Sequence, residues 1–283
     1  MAKIIESTTG EKIDITNVGI FYNKEDTKAY NAAIETANIL NLKDINARVL
    51  TTEEFRTELT LAFVLGGDGT ILKSARFFAP YNIPIFGINL GRLGFLSQAK
   101  AMQIRESVDY ILQGQFRLED RMMLAALNQQ MTALNDIVIK GDGFSRTSRM
   151  YVHINEHTVC DYLADGVIIS TPTGSTAYNL SAGGPVLFPA LDAIVIVPIC
   201  PHTMSARPIV VPSSEVINIT SSQNKPLIKI SADGQNTFDL EPNQAIDVMK
   251  SKYSAKLLLL NLQKNSFYSV LKEKLHWGMS WQG

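Results

Sequence analysis

Two short stretches of this chain concentrate residue types suited to handling a phosphorylated ligand. In the first, Gly66, Gly67, Asp68, Gly69 and Thr70 follow the apolar run 61 to 65 and precede Ile71, Leu72 and Ala75. Glycines permit positive φ and close backbone approach, so successive N–H groups can face a phosphate while a helix N-terminus adds partial positive charge. The segment lacks the Gly-Lys-Ser/Thr ending of a Walker A loop and the GxGxxG spacing of a dinucleotide-binding dehydrogenase. Asp68 is its one carboxylate, and an aspartate among glycines before a helix also serves as a turn former or N-cap. The second stretch spans 164 to 189, where a Thr-Pro-Thr-Gly-Ser-Thr run precedes small residues, Tyr178 and Ser181. Hydroxyls and amides without net charge suit the edges of a nucleoside, and Tyr178 offers an apolar face. Tight packing through Ala177, Ala182 and Gly183 is the plainer alternative, but it leaves the excess of hydroxyls unexplained.

The elements that must position these residues change character along the chain. The run 18 to 22 reads as a buried strand, and Ala29, Ala32, Ala33, Ala37 and Leu40 recur at helical spacing after it. Strands at 61 to 65 and 83 to 88 flank a helix that ends near Pro80, which predicts a parallel sheet with ligands at the carboxyl ends of its strands. Beyond a helical stretch at 101 to 112 the apolar runs become short, alternating or β-branched, with one helix-like insert at 175 to 183. The expected fold is therefore α/β plus β-rich. An N-terminal parallel-sheet α/β domain at 1–100 carries the GGDG loop, and a β-sandwich-like domain spans 101–260. A C-terminal helix within 261–283, with Phe267, Val270, Leu271 and Leu275 at helical spacing, returns to the first domain.

Bulk composition excludes several roles. The 283 residues carry 26 basic and 27 acidic side chains for a net charge of −1, which provides no global field for nucleic acid or an anionic membrane. No apolar run approaches the ~18 residues of a membrane span, and no signal-peptide segment opens the chain. Cys160 and Cys200 form no CxxC pair, so a zinc site and a disulfide framework are not expected and a reducing cytoplasm fits.

Several blocks together resemble the NAD kinase family of the bacterial type: GGDGT at 66 to 70, NLGRLGFL at 89 to 96, Asn135 with Asp136, Asp165 with Gly166, TPTGSTAYNLSAGGP at 171 to 185, and PICPHTMSARP at 198 to 208. They occur in family order. The 171 to 185 block is the more discriminating, since GGDG also resembles lipid kinases of the same superfamily. The resemblance implies an ATP-dependent phosphotransferase that forms NADP from NAD, with Asp68 as catalytic carboxylate and Gly66, Gly67, Gly69 and Thr70 serving the ATP phosphates. Gly69 would also neighbour the bound NAD and Phe95 would lie against adenine. Asn135 and Asp136 would grip ribose hydroxyls, Asp165 would meet the nicotinamide end, and Thr176, Ala177, Tyr178, Asn179, Leu180 and Ser181 would form the adenosine-binding turn. Lys73, Arg146 and Gln235 occupy positions that some relatives use. Leu163 stands where relatives often carry Arg, which bears on the choice between NAD and NADH. The resemblance further implies Mg²⁺ held through the ATP phosphates rather than by protein ligands, and a cytoplasmic homotetramer or homodimer. His202 lies in a matching block but is left out of acid–base work.

Phosphoryl transfer needs an in-line nucleophile and neutralised phosphate oxygens. A carboxylate at a reference pKa of about 3.9 is a weak base, so Asp68 is expected to orient the sugar hydroxyl and take its proton late. Two alternatives stand beside this reading: a lipid kinase, which shares the GGDG logic, and a non-catalytic NAD-sensing module, which has no need of Asp68.

Overall fold

The computed structural model describes residues 3–55, 57–91, 94–141, 147–155, 157–221, 228–240 and 244–276. It divides into two compact units, residues 1–120 with 255–283, and residues 121–254. From the sequence the boundaries are expected at 100/101 and 260/261. The later first boundary has a physical cause: the helix at 104 to 112 buries Ile104, Val108 and Ile111 in the same core as the first unit's strands.

In the first unit, a hairpin of β1 (Ile4–Glu6) and β2 (Lys12–Asp14) precedes β3 (Asn17–Tyr22), helix α1 (Thr27–Asn41) and β4 (Asn46–Val49). The chain continues through β5 (Leu61–Leu65), α2 (Asp68–Phe78), β6 (Ile85–Asn89), β7 (Ala99–Lys100) and α3 (Ile104–Leu112). Strand β8 (Phe116–Ala126) carries it into the second unit. Strands β4, β3, β5 and β6 pair in that order and all in parallel. Strands β5 and β6 are buried at every position, as their unbroken apolar sequences require for a sheet covered on both faces. Helix α1 is capped by Asp26, whose side chain accepts from the Lys28 N–H, and its alanine stripe is the buried face.

The second unit is antiparallel throughout. Its strands are β9 (Met131–Ala133), β10 (Asp136–Gly141), β11 (Ser148–Ile154), β12 (His157–Ala164) and β13 (Gly166–Ser170). Helix α4 (Tyr178–Ser181), β14 (Ala193–Ile199), β15 (Ile209–Pro212), β16 (Ile217–Ser221), β17 (Ile228–Ala232) and β18 (Asn236–Leu240) follow. One sheet has the order β15-β14-β13-β10-β17-β18, while β12, β11 and β16 continue onto the start of β19 (Ile246–Leu260). The core between them joins Ile137, Ile139, Val167 and Ile169 to Met150, Val152, Ile217 and Val248. On the opposite face of the first sheet, Val138, Ile168, Val195 and Val197 are covered by Ala182 and Leu187. This double covering seats the hydroxyl-rich segment on β13 and β14. The helical insert expected at 175 to 183 is two short pieces, a 3-10 turn at Thr173–Thr176 and α4, broken at Ala177, whose φ of −98° and ψ of −129° lie outside helical range.

The end of β19 returns to the first unit, where Leu257 pairs in parallel with Ile85 of β6, and α5 (Phe267–Leu275) follows, burying Val270 and Leu271. Among the described residues no helix is long and apolar enough to cross a membrane.

Candidate functional site

In the first unit the chemistry collects at the carboxyl ends of the adjacent parallel strands β5 and β6. Asp68 opens α2, but Gly67 is the N-cap and no side chain caps the helix, so the N-cap alternative for Asp68 is set aside. Its carboxyl group turns instead toward the segment after β6, where the Phe95 N–H donates to Oδ2 at 3.1 Å. Among the described residues Oδ1, which is buried, has no hydrogen-bond partner. Burial pushes the Asp68 carboxyl above its usual range, against the Phe95 and Leu96 amides and the charge of Lys274 on α5. This corrects the expectation of an ordinary carboxylate, because a desolvated one is the stronger base. Gly94 makes the arrangement possible: a Cβ there would lie 1.9 Å from Asp68 Oδ1.

The glycines of the loop do not use the positive φ that is open to them. None of Gly66, Gly67 and Gly69 has positive φ, and Gly67 is extended with φ −76° and ψ 177°. Gly66 is buried, Gly67 and Gly69 are exposed and Thr70 is half-buried. Lys73 is exposed farther along α2, and Phe95 is half-buried.

In the second unit Asn135, Asp136 and the turn at 171 to 174 gather around the start of β10, whereas Asp165 lies at its far end, where its carbonyl accepts from the Gly141 N–H at 3.3 Å. Thr171, just past β13, donates from its N–H to the Asn135 carbonyl at 2.9 Å and from Oγ1 to the Leu134 carbonyl at 2.6 Å. The Gly174 N–H donates to Thr171 Oγ1 at 3.0 Å, closing the turn. A Cβ on Gly174 would sit 2.1 Å from the Asn135 oxygen, so only glycine lets the Thr-Pro-Thr-Gly turn approach this closely. Arg121, itself buried, donates to Thr173 Oγ1 at 3.3 Å.

Asp136 is 5% exposed, and its carboxyl is pushed up to about 7 by burial and then by the Asp233 carboxylate. Sequence patterning does not single out Asp233. It accepts the N–H groups of Asn135 at 2.7 Å, Leu134 at 3.1 Å and Asp136 at 3.3 Å. Its one signal in the chain is a DG pair between two strand-like runs, which reads as a turn. Tyr178 is 43% exposed, and its hydroxyl is pushed up by burial and then by Cys200, Asp136 and Asp165, each within electrostatic reach of that hydroxyl.

Asn179 is fully buried, and its Nδ2 donates to the carbonyls of Ser175 at 2.8 Å and Pro185 at 3.0 Å. Its amide nitrogen thus holds the turn together, while among the described residues its buried Oδ1 has no hydrogen-bond partner. Thr176, Ala177 and Leu180 are half-buried and Ser181 is exposed. Leu163 is 38% exposed on β12, directly opposite Arg149 of β11. Gln235 is exposed in the β17–β18 turn, two residues beyond Asp233. Arg146 lies outside the described residues.

Residues 15–116 match the ATP-NAD kinase N-terminal domain and residues 134–260 the ATP-NAD kinase C-terminal domain. An NAD kinase of Moorella thermoacetica is 38% identical, the match covering 94% of this chain and 91% of that protein. One from a Thermoanaerobacter species is 44% identical over 75% of this chain and 76% of its own length. Among solved structures, an NAD kinase from Archaeoglobus fulgidus in complex with ATP superposes with a TM-score of 0.76 at 25% identity, covering 91% of this chain and 98% of that one. A yeast NADH kinase complexed with NADH shares the fold, with a TM-score of 0.84 at 23% identity over 99% of this chain and 93% of its own. With both halves matched in order and the Moorella and Thermoanaerobacter relatives aligned along 91% and 76% of their own length, the chain belongs to the NAD kinase family.

Proposed function

We propose that this protein transfers the γ-phosphoryl group of ATP to the 2′-hydroxyl of the adenosine ribose of NAD, forming NADP and ADP. The observation that carries the catalytic assignment is Asp68, a desolvated carboxylate at a helix start with Oδ1 buried and unpartnered among the described residues. The ribose oxygen attacks Pγ, the bond from Pγ to the β–γ bridging oxygen breaks, and the hydroxyl proton passes to Asp68. Because the Phe95 N–H holds Oδ2, Oδ1 is the oxygen assigned to the proton. Orientation accounts for most of the effect, since a carboxyl group even above its usual range gains the proton only as the P–O bond forms.

In this reading Gly66, Gly67, Gly69 and Thr70 face the ATP phosphates, and Phe95 lies against the adenine. Asn135 and Asp136 hold sugar hydroxyls, Asp165 meets the nicotinamide end, and Thr176, Ala177, Tyr178 and Ser181 surround the adenosine. In this reading Mg²⁺ would be held through the ATP phosphates and would neutralise their charge. The same reading has the protein working in the cytoplasm as a homotetramer or homodimer.

The test is NADP formation by the purified protein with Mg-ATP or polyphosphate as donor, and with NAD, NADH or diacylglycerol as acceptor. NADP from NAD is expected, and its absence would sink the reading. Asp68→Asn should bind NAD as the wild type does while kcat drops by at least about a hundredfold, the scale of a positioned base. An unaffected kcat removes Asp68 from the mechanism.

A further inference from the structure

The turn between β17 and β18 contains a carboxylate, Asp233, that reaches outside its own hairpin to the backbone before β10. Asp233 has a left-handed backbone with φ 51°, and its own N–H donates to the Asp136 carbonyl at 2.9 Å. That places its side chain beside the last residues before β10. There Oδ1 accepts from Asn135 at 2.7 Å and Asp136 at 3.3 Å, and Oδ2 accepts from Leu134 at 3.1 Å. The carbonyls of the same segment are taken from the β13 side, by Thr171 at Leu134 and by Thr171 and Ser170 at Asn135. The backbone at 134 to 136 is therefore pinned through both its donors and its acceptors. Among the described residues nothing hydrogen-bonds the Asn135 side chain, which the pinned peptide thus presents as its available polar group.

We infer that Asp233 is a positioning residue for the acceptor nucleoside: by gathering three successive backbone N–H groups it fixes the direction in which Asn135 and Asp136 present their side chains to the sugar. The inference rests on the reading of that pair as the sugar-binding pair. The same placement sets a second carboxylate against buried Asp136. That placement costs electrostatic energy, because two like charges in one desolvated spot oppose each other. The groups facing Asp136 are Asp233 from the β17–β18 turn and the Tyr178 hydroxyl from α4.

The experiment compares wild type, Asp233→Asn, Asp233→Glu, Asn135→Ala and the Asp233→Asn/Asn135→Ala double variant. It reads NAD binding by calorimetry, KM and kcat for NADP formation, and the thermal transition of each protein. Asp233→Asn should weaken NAD binding and raise KM about tenfold, the scale of a disturbed buried hydrogen-bond set, with kcat changed by less than about threefold. Asp233→Glu should lie between it and wild type. The double variant should lose less NAD binding than the sum of the two single losses, because both changes act in part through the Asn135 side chain. Removing the neighbouring carboxylate should also move the Asp136-controlled limb of the kcat/KM profile to lower pH. Unchanged NAD binding in a folded Asp233→Asn protein overturns the inference, as do fully additive losses in the double variant. If Asp233→Asn does not fold, Asp233→Glu takes its place: weakened NAD binding supports the inference and unchanged binding overturns it. A wild type that binds NAD but makes no NADP defeats the kinase reading and leaves the binding comparison in force.

Discussion

A Cβ on Gly94 would lie 1.9 Å from Asp68 Oδ1 and 2.4 Å from its Cγ, so any other residue at 94 forces the carboxyl group out of its cradle. Gly94 is itself held by donating its N–H to Ser97 Oγ at 2.7 Å, which limits how far the backbone can yield. Gly94→Ala is therefore expected to lower kcat by about a hundredfold through displacement of the base, with KM for NAD nearly unchanged. The same change should shift the Asp68-controlled limb of the rate profile to lower pH. The displaced carboxyl regains water, and burial is the main cause of its raised affinity for the proton. Steady-state kinetics across pH reads both effects, and an unmoved limb would mean that Asp68 keeps its place. Asp68 itself is visible from its glycine neighbours, whereas Gly94 is hidden, because a steric vacancy leaves no trace in composition or spacing.

In the second unit the candidate site elements are short turns held by side chains more than by regular helix. The 3-10 turn Thr173–Thr176 has no side-chain cap and α4 is only four residues long, well below what helix cooperativity sustains alone. What holds them is Thr171 on the Leu134 and Asn135 carbonyls, Asn179 on Ser175 and Pro185, and apolar cover from Ala182 and Leu187. Gly174→Ala tests this account, since its Cβ would meet the Asn135 oxygen at 2.1 Å and the turn must lift away. The expected outcome is a loss of about 1–3 kcal/mol in chemical denaturation, the range for overpacking, together with a KM for NAD raised about tenfold. A wild-type KM in that variant would detach the turn from nucleoside binding. The helix expected at 175 to 183 follows from the spacing of small residues, but spacing does not register a backbone break such as the one at Ala177.

For the molecule as a whole, the buried acids set how stability depends on pH. In the unfolded chain Asp136 ionises near its reference value of about 3.9, whereas in the folded protein it does so at about 7. Between those values the folded state holds the extra proton, so this contribution to stability is complete below about pH 4 and is lost as pH rises to about 7. Asp68, raised by burial, contributes in the same sense. Urea denaturation at several pH values should show Asp136→Asn gaining on wild type as pH rises, by on the order of 2–4 kcal/mol at pH 8; parallel curves would refute it. The chain alone determined the parallel α/β start, the β-rich middle, the returning helix and the chemistry-bearing segments at 66 to 70 and 171 to 181, because hydrophobic period and turn chemistry are local properties. The tertiary structure alone decided that Gly94 makes room for Asp68, that Asp233 gathers the amides at 134 to 136, and that Asp136 is buried beside a second carboxylate. Each of those depends on residues far apart in sequence meeting within a few ångströms, where desolvation and steric exclusion operate and sequence spacing carries no information.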